Sequence, residues 1–367
     1  MALAGATLAL AWCAPAASAQ AQPEDAAVGG SIRTYADDDH MVVVSPSAGV
    51  QWPVGSWLLD ARVAADVVSG ASIDVVSEAS PTAINERRGE LSMGAAWQTS
   101  ERLTLRGQLM TSSETDYDSV TVAAGGDVSF AQKNTTLAVL LRAGYDAVGH
   151  AKRPELSETR NALGATVTLG QVVDRNTYAD AVVEVMRSAG YLESPYRTVI
   201  LREPSTPVLM RVAEEVPDTR VGIALRGRVR RAFMGGRLSS HVDYRFYADD
   251  WSVESHTAAL RVTTLAWRGS LVGASLRGYY QTRASFFRSD YELENGQAPA
   301  LRTREKRLGA MASAMASITA DIPLRPRHEK SPRIVVGVGG LRFWFRSFTP
   351  QATRNAFTTN AALSVPF

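Results

Sequence analysis

Five histidines and a single cysteine limit the acid–base and nucleophilic chemistry open to this 367-residue chain. Two short runs hold suitable residue types: Glu254-Ser255-His256, and His241 two positions before Asp243. A serine nucleophile needs its base in contact at ~2.6–3.2 Å, yet adjacent residues of an extended strand point to opposite faces. Ser255 and His256 therefore make a poor pair, and an enzyme acting on lipid or protein is the third of three readings. Asp37-Asp38-Asp39 offers oxygen ligands for a divalent cation. It lacks calcium-loop spacing and its glycine, so a solvated acidic turn is expected. Tyr196 and Arg197 after Pro195 are read as a packing corner rather than a ligand site. No Gly-rich phosphate loop, zinc-ligand spacing or haem motif occurs, and no metal or cofactor is expected.

A larger set of charges alternates with apolar residues. In 103–109, Leu103, Leu105, Gly107 and Leu109 alternate with Thr104, Arg106 and Gln108. In 137–146, Leu137, Val139, Leu141, Ala143 and Tyr145 oppose Arg142 and Asp146. Val221, Ile223, Leu225 and Val229 oppose Arg220, Arg226, Arg228 and Arg230; Leu238, Val242, Tyr244 and Phe246 oppose Arg237, His241, Asp243 and Arg245. A two-residue period means strands with one greasy and one wet face. Slipping the 220–230 strand by one residue would aim its arginines at hydrocarbon, at ~2–4 kcal/mol each near a bilayer midplane. That is ample to fix register. Alternation collects Asp60, Asp66, Arg106, Arg142, Glu184, Arg226, Arg228, Arg230, His241, Asp243, Arg245 and Arg277 on the wet face as candidate lumen-lining residues. Arg62, Glu90, Arg102, Asp127, Asp180, Arg261 and Arg283 are placed with them.

The elements carrying these residues run from position 28 onward as extended segments of about ten residues or more. Short gaps near 53–56, 99–101, 131–133, 171–175, 232–235, 267–269 and 323–332 alternate with longer ones near 37–40, 69–86, 114–118, 147–158, 189–216, 248–252, 284–302 and 348–353. Short turns on one side and long loops on the other are the habit of transmembrane barrels. The stretch 323–332 fits worst, being long and rich in Pro and Arg. Counting from Met41 leaves an odd strand number, and Val28–Ala36 supplies the missing strand. The expectation is a single closed antiparallel transmembrane β-barrel over 28–367, all-β, with sixteen strands or fourteen if two weak segments fail. An open edge in lipid would leave backbone groups unpaired, so the sheet must close. Trp52, Trp57, Trp97 and Trp267 flank short gaps, as an aromatic girdle would. Tyr145, Phe246, Tyr247 and Trp251 are expected in a second girdle, and Gly339-Gly340 is read as a bulge.

Both ends address the chain. The last strand turns Phe357, Thr359, Ala361, Leu363, Val365 and Phe367 to one side. A terminal aromatic on such a strand resembles the sorting signal of Gram-negative outer-membrane barrels, implying Phe367 as the residue the barrel-assembly machinery reads. Residues 2–19 are small and apolar and end Ala17-Ser18-Ala19, which reads as a secretory signal peptide, 1–19, cleaved after Ala19. No Lys or Arg precedes the apolar run, so the true start codon is open. Cys13 follows Trp12, where lipoprotein acylation wants a small residue, and with Cys13 removed the mature chain has no thiol.

Four stretches resemble an uncharacterised bacterial family, the domain of unknown function numbered thirty-five seventy. They are Val44-Ser45-Pro46, Asp66–Ser77 with its Asp74, Ser194-Pro195-Tyr196-Arg197 and Ser255-His256-Thr257. The chain departs from the family at Asn85-Glu86-Arg87-Arg88, where a Thr-Arg-His run is expected. The resemblance implies an outer-membrane barrel and assigns no substrate. Basic and acidic residues nearly cancel, 39 against 37, which gives no ground for a nucleic-acid partner. Mean hydropathy near zero suits a barrel that shows lipid only alternate residues. The leading functional reading is a porin-like channel for small solutes with mild anion preference, in contact with outer-membrane lipid. Second is a non-conducting surface or structural barrel binding a partner or ligand through loops 69–86, 189–216 and 284–302. The oligomeric state is not legible in the sequence.

Overall fold

The computed structural model describes residues 25–70, 84–203, 209–326, 328 and 330–367. The expected signal peptide 1–19 and the family-like stretch 71–77 lie outside the described residues. In chain order the strands are β1 (Ala27–Asp37), β2 (Met41–Val54), β3 (Trp57–Gly70), β4 (Ile84–Gln98), β5 (Leu103–Ser113), β6 (Tyr117–Phe130), β7 (Thr135–Val148) and β8 (Glu158–Asp174). Then follow β9 (Thr177–Gly190), β10 (Thr198–Arg202), β11 (Leu209–Ala213), β12 (Thr219–Phe233), β13 (Leu238–Asp249), β14 (Glu254–Leu265) and β15 (Leu271–Gln281). The last are β16 (Tyr291–Glu292), β17 (Met311–Pro323), β18 (Arg333–Phe345) and β19 (Thr353–Pro366).

Sixteen of these strands close into one antiparallel barrel, and β10, β11 and β16 form a separate three-stranded sheet. Closure joins the two ends of the chain: β19 pairs β1 from Ala27↔Pro366 to Asp37↔Ala356. β1, the strand supplied to make the number even, is therefore the one that removes the open edge. The apolar set faces outward. On β12, Val221, Ile223, Leu225 and Val229 are each 42–45% exposed, and the arginines between them take the other face. Such exposure would be costly in water and is natural against hydrocarbon.

The three longest connections, 71–83, 191–218 and 282–310, share one end, although 38–40, 114–116 and 250–253 beside them are short. That end is the outer one by barrel convention. At the short-turn end Trp57 stacks on its cross-strand partner Trp97, ring centroids 5.3 Å apart. Trp52 and Trp267 stand exposed, each beside one of the turns at that end. At the base of the awkward 323–332 connection, Leu324 N–H donates to Pro332 O at 2.7 Å and Arg325 N–H to Ser331 Oγ at 2.8 Å.

Several sequence expectations fail. Gly339-Gly340 is not a bulge: register runs unbroken through Ser317↔Gly339 and Ala316↔Gly340. A Cβ on Gly339 would meet Thr358 Oγ1 at 3.0 Å and Ser317 Cβ at 3.1 Å, so close inward packing explains that glycine. A register shift instead falls between Val172 and Asp174. Tyr247 and Trp251 do not join a lipid-facing girdle. Tyr247 has inward parity, and Trp251 sits 5% exposed in a tight turn with its indole N–H on Thr219 O at 2.8 Å. Tyr145 does remain outward, at 51% exposure. Arg102 and Arg283 lie outside any strand, so alternation does not apply to them.

Candidate functional site: the barrel interior and its loop cap

Strand register sorts the inward charges into two arcs. On β9 and β12–β15 stand Arg226, Arg228, Arg230, Arg245, Arg261 and Arg277 against Asp180, Glu184 and Asp243. The Arg220–Asp249 pair closes the outer rim of that arc at 2.5 Å. On β3–β7 the balance reverses: Asp60, Asp66, Glu86, Glu90, Asp127 and Asp146 face Arg62, Arg88, Arg106 and Arg142. One wall is basic and the wall facing it acidic, which sets a transverse field across the interior.

Within the basic arc the charges form a ladder between strands. Arg226 holds Asp243 at 2.5 Å, Arg228 holds Asp180 at 2.5 Å, and Arg245 reaches Glu184 at 3.7 Å. His241 lies level with Arg230 and Arg261. Arg230 lies over the Tyr178 ring at 5.9 Å and Arg277 over the Tyr279 ring at 5.6 Å. In the acidic arc Arg106 donates to Asp127 at 2.8 Å and Ser45 to Asp66 at 2.5 Å. Asp60 sits level with Gln51 and Gly94, and Arg142 with Ala123 and Gly164. Packing differs along this interior. The Arg228 side chain is 3% exposed, whereas that of Arg106 is 49% exposed, although both face inward. Space for water therefore remains beside Arg106.

The candidate nucleophile does not assemble. Ser255 is buried with inward parity, while His256 faces outward and shares a 2.7 Å hydrogen bond with the Tyr244 hydroxyl. Among the described residues no three His, Cys, Asp or Glu side chains converge as metal ligands.

Sequence reasoning placed long loops at the outer end but missed that they fold into a sheet and cores of their own. The β9–β12 and β15–β17 connections meet in the small sheet, where β10 pairs β11 antiparallel and β16 in parallel through Leu201↔Tyr291. Val199, Leu201 and Tyr291 are buried beneath it. Tyr291 donates to Phe286 O at 2.6 Å and accepts from Thr303 N–H at 2.7 Å. A second core joins Trp251, Phe286, Phe287, Phe345 and Phe348, with Phe287 fully buried. Aromatic side chains of this size dominate the energetics of such a core. The pair Phe286-Phe287 in a supposed surface loop was the signal available in the sequence.

Buried ion pairs fasten this cap. Asp39, expected in a solvated turn, is 2% exposed and lies 3.3 Å from Lys306 Nζ, which also donates to Gln351 Oε1 at 3.1 Å. Asp37 accepts from Tyr35 at 2.8 Å and from the backbone N–H groups of Asp39 and Met41. The acidic turn is thus a docking point for the β15–β17 loop, because a buried charge needs a partner and Asp39 supplies it. Arg197 bridges Glu305 at 2.5 Å and Glu214 at 3.6 Å. Burial alone would raise the Glu305 carboxyl, but Arg197 and Arg307 overcome that and hold it well below the usual carboxylate range. Tyr196 stacks on His150 at 4.1 Å and bonds Asp116, so this corner does pack. Asp116 leaves the barrel between β5 and β6; eight of the sixteen strands separate it from the β15–β17 connection. Contacts through Tyr196, Arg197 and Glu305 therefore link opposite sides of the rim.

A closed sixteen-stranded antiparallel sheet, apolar outside and charged within, defines an outer-membrane-type β-barrel. Residues 73–335 match the family described as "Protein of unknown function (DUF3570)", and the chain belongs to that family. Among solved structures it is similar to a bacterial polysaccharide outer membrane secretin, with 11% identity and a TM-score of 0.50 over 95% of this chain and 100% of that one. It is also similar to CdiB from Acinetobacter baumannii, with 6% identity and a TM-score of 0.53 over 92% of this chain and 60% of that one. At such identities the likeness is one of fold. No curated protein matches the sequence.

Proposed function

We propose that the protein is a porin-like outer-membrane channel for small solutes, with mild anion preference, whose outer mouth is narrowed by the loop cap. The observation that carries this reading is the half-exposed charge on an enclosed face, Arg106 at 49% and Arg226 at 33% side-chain exposure. Barrels of 16–18 strands leave an aqueous channel unless loops fill it. Three net positive charges on the basic arc against two net negative on the acidic arc give the small bias toward anions. Export with cleavage after Ala19, and recognition of Phe367 during assembly, belong to the same proposal. Phe367 is 57% exposed, and its backbone N–H donates to Ala26 O at 2.8 Å, beside the β1–β19 closure.

Refolded protein in a planar bilayer, with a salt gradient across it, tests this directly. Discrete conductance steps with a reversal potential of anion-selective sign are expected; an electrically silent bilayer overturns the channel. A second reading has its own observation, the network from Asp116 to Lys306 and Asp39 that ties opposite rims. If the cap seals the mouth, wild-type protein is silent and a variant with the Lys306–Asp39 pair removed conducts.

A further inference from the structure

Outward charge is rare on the membrane-crossing strands because arginine is costly in hydrocarbon and tolerated only near the interfaces. One sector of the outer rim carries it together with aromatics. Strand register puts Trp344, Ala312, Tyr280, His256 and Phe246 at one level across β18, β17, β15, β14 and β13. Arg342 faces outward one row below, and Arg346 follows the end of β18 one row above. The Arg342 guanidinium lies 5.6 Å from the Trp344 ring, and that of Arg346 lies 5.8 Å from the Tyr280 ring. Neither has a carboxylate within 4.0 Å among the described residues. Two acids stand near that level. Asp38, two strands from Arg342 or roughly 10 Å, has its carboxylate taken by the Asn355 amide at 2.7 Å. Glu254 is three strands from Arg346, roughly 14 Å.

We propose that this arginine–aromatic row binds a phosphate-bearing lipid of the outer leaflet. Arg342 and Arg346 take phosphate oxygens, and Trp344, Tyr280 and Phe246 pack on the boundary between headgroup and acyl chains. Several facts favour this occupant. Guanidinium groups pair with phosphate in a fork that carries both charge and direction. Aromatic rings settle at the membrane boundary, where the two guanidinium groups are held by ring faces rather than by protein carboxylates. Two unneutralised cations at headgroup depth complement an anionic headgroup. The proposal needs the barrel to sit in a membrane and is independent of whether its lumen conducts.

The test is lipid retention by native mass spectrometry of full-length refolded barrel, using bis-phosphorylated lipid A and lipid A stripped of both phosphates. Wild type is expected to retain the phosphorylated lipid about tenfold better, the ratio of roughly one charge-assisted contact. R342Q/R346Q is expected to fall to the stripped-lipid level. Arg231, stacked on Phe233 at 5.6 Å on the same outward face but at the short-turn end, is the control, and R231Q is expected to leave retention unchanged. If the double variant fails to fold, R346Q alone, beyond the strand end, serves with an expected partial loss. Equal retention of the two lipids, undiminished retention by the folded variants, or an equal loss in R231Q overturns the proposal.

Discussion

The barrel wall and the cap solve opposite problems with one chain. In the wall, Leu109, Leu141 and Leu225 turn outward and charged groups turn inward. In the cap, Phe287, Leu201 and Tyr291 are buried, as in any soluble domain. The wall is held by a continuous ladder of backbone pairing, and its side chains only choose the register. The cap has little ladder, and it depends on aromatic packing and on buried pairs such as Lys306–Asp39. Stability should therefore respond to different mutations in the two regions.

The contrast is broken most strongly in the cap. Phe287→Ala removes a fully buried ring and is expected to cost ~3–5 kcal/mol of cap stability. Protease nicking within 191–218 and 282–310 should follow, while the heat-modifiable gel shift of the barrel persists. Loss of both together would mean that wall and cap fold as one unit. In the wall, adjacent positions on β5 should differ. Leu109→Arg is expected to cost ~2–4 kcal/mol near the midplane, whereas Gln108→Arg, facing inward, should stay within ~0.5 kcal/mol. Urea unfolding in lipid vesicles reads both, and equal costs would refute the assignment of faces.

Acid should loosen the cap before the wall. The Glu305 carboxyl is held below its ordinary value of 4.5, so its contribution is complete above that pH and is lost as pH falls below it. Protease protection of the cap should decline below about pH 4.5 in wild type, and Glu305→Gln should already be less protected at neutral pH and lose that dependence. The smallest effect concerns selectivity. Removing charge from the basic arc with Arg226→Gln should move the reversal potential toward zero, by less than about twofold in permeability ratio because salt screens exposed charge. A shift toward stronger anion preference would contradict the role given to that arc.

The wall was legible in the sequence because its rule is local. A two-residue period in 103–109 or 220–230 needs no knowledge of distant residues, and parity then demanded β1. The cap was not legible, because its rule is long-range: Asp39 meets Lys306 across 267 positions, and Leu201 meets Tyr291 across a parallel pair. The same limit explains the girdle error, since Trp251 obeys the cap's packing rather than the wall's alternation. Gly339 misled for a different reason: a missing side chain signals a kink and a tight inward contact equally well.

Substituted-cysteine labelling in vesicles tests most directly that the charged face encloses water and the apolar face meets lipid. With Cys13 replaced by Ser, single cysteines at Thr104, Arg106 and Gln108 should react with a membrane-impermeant sulfonated maleimide, and those at Leu105 and Leu109 should not. Uniform labelling, or the opposite alternation, would contradict a barrel with a wet interior.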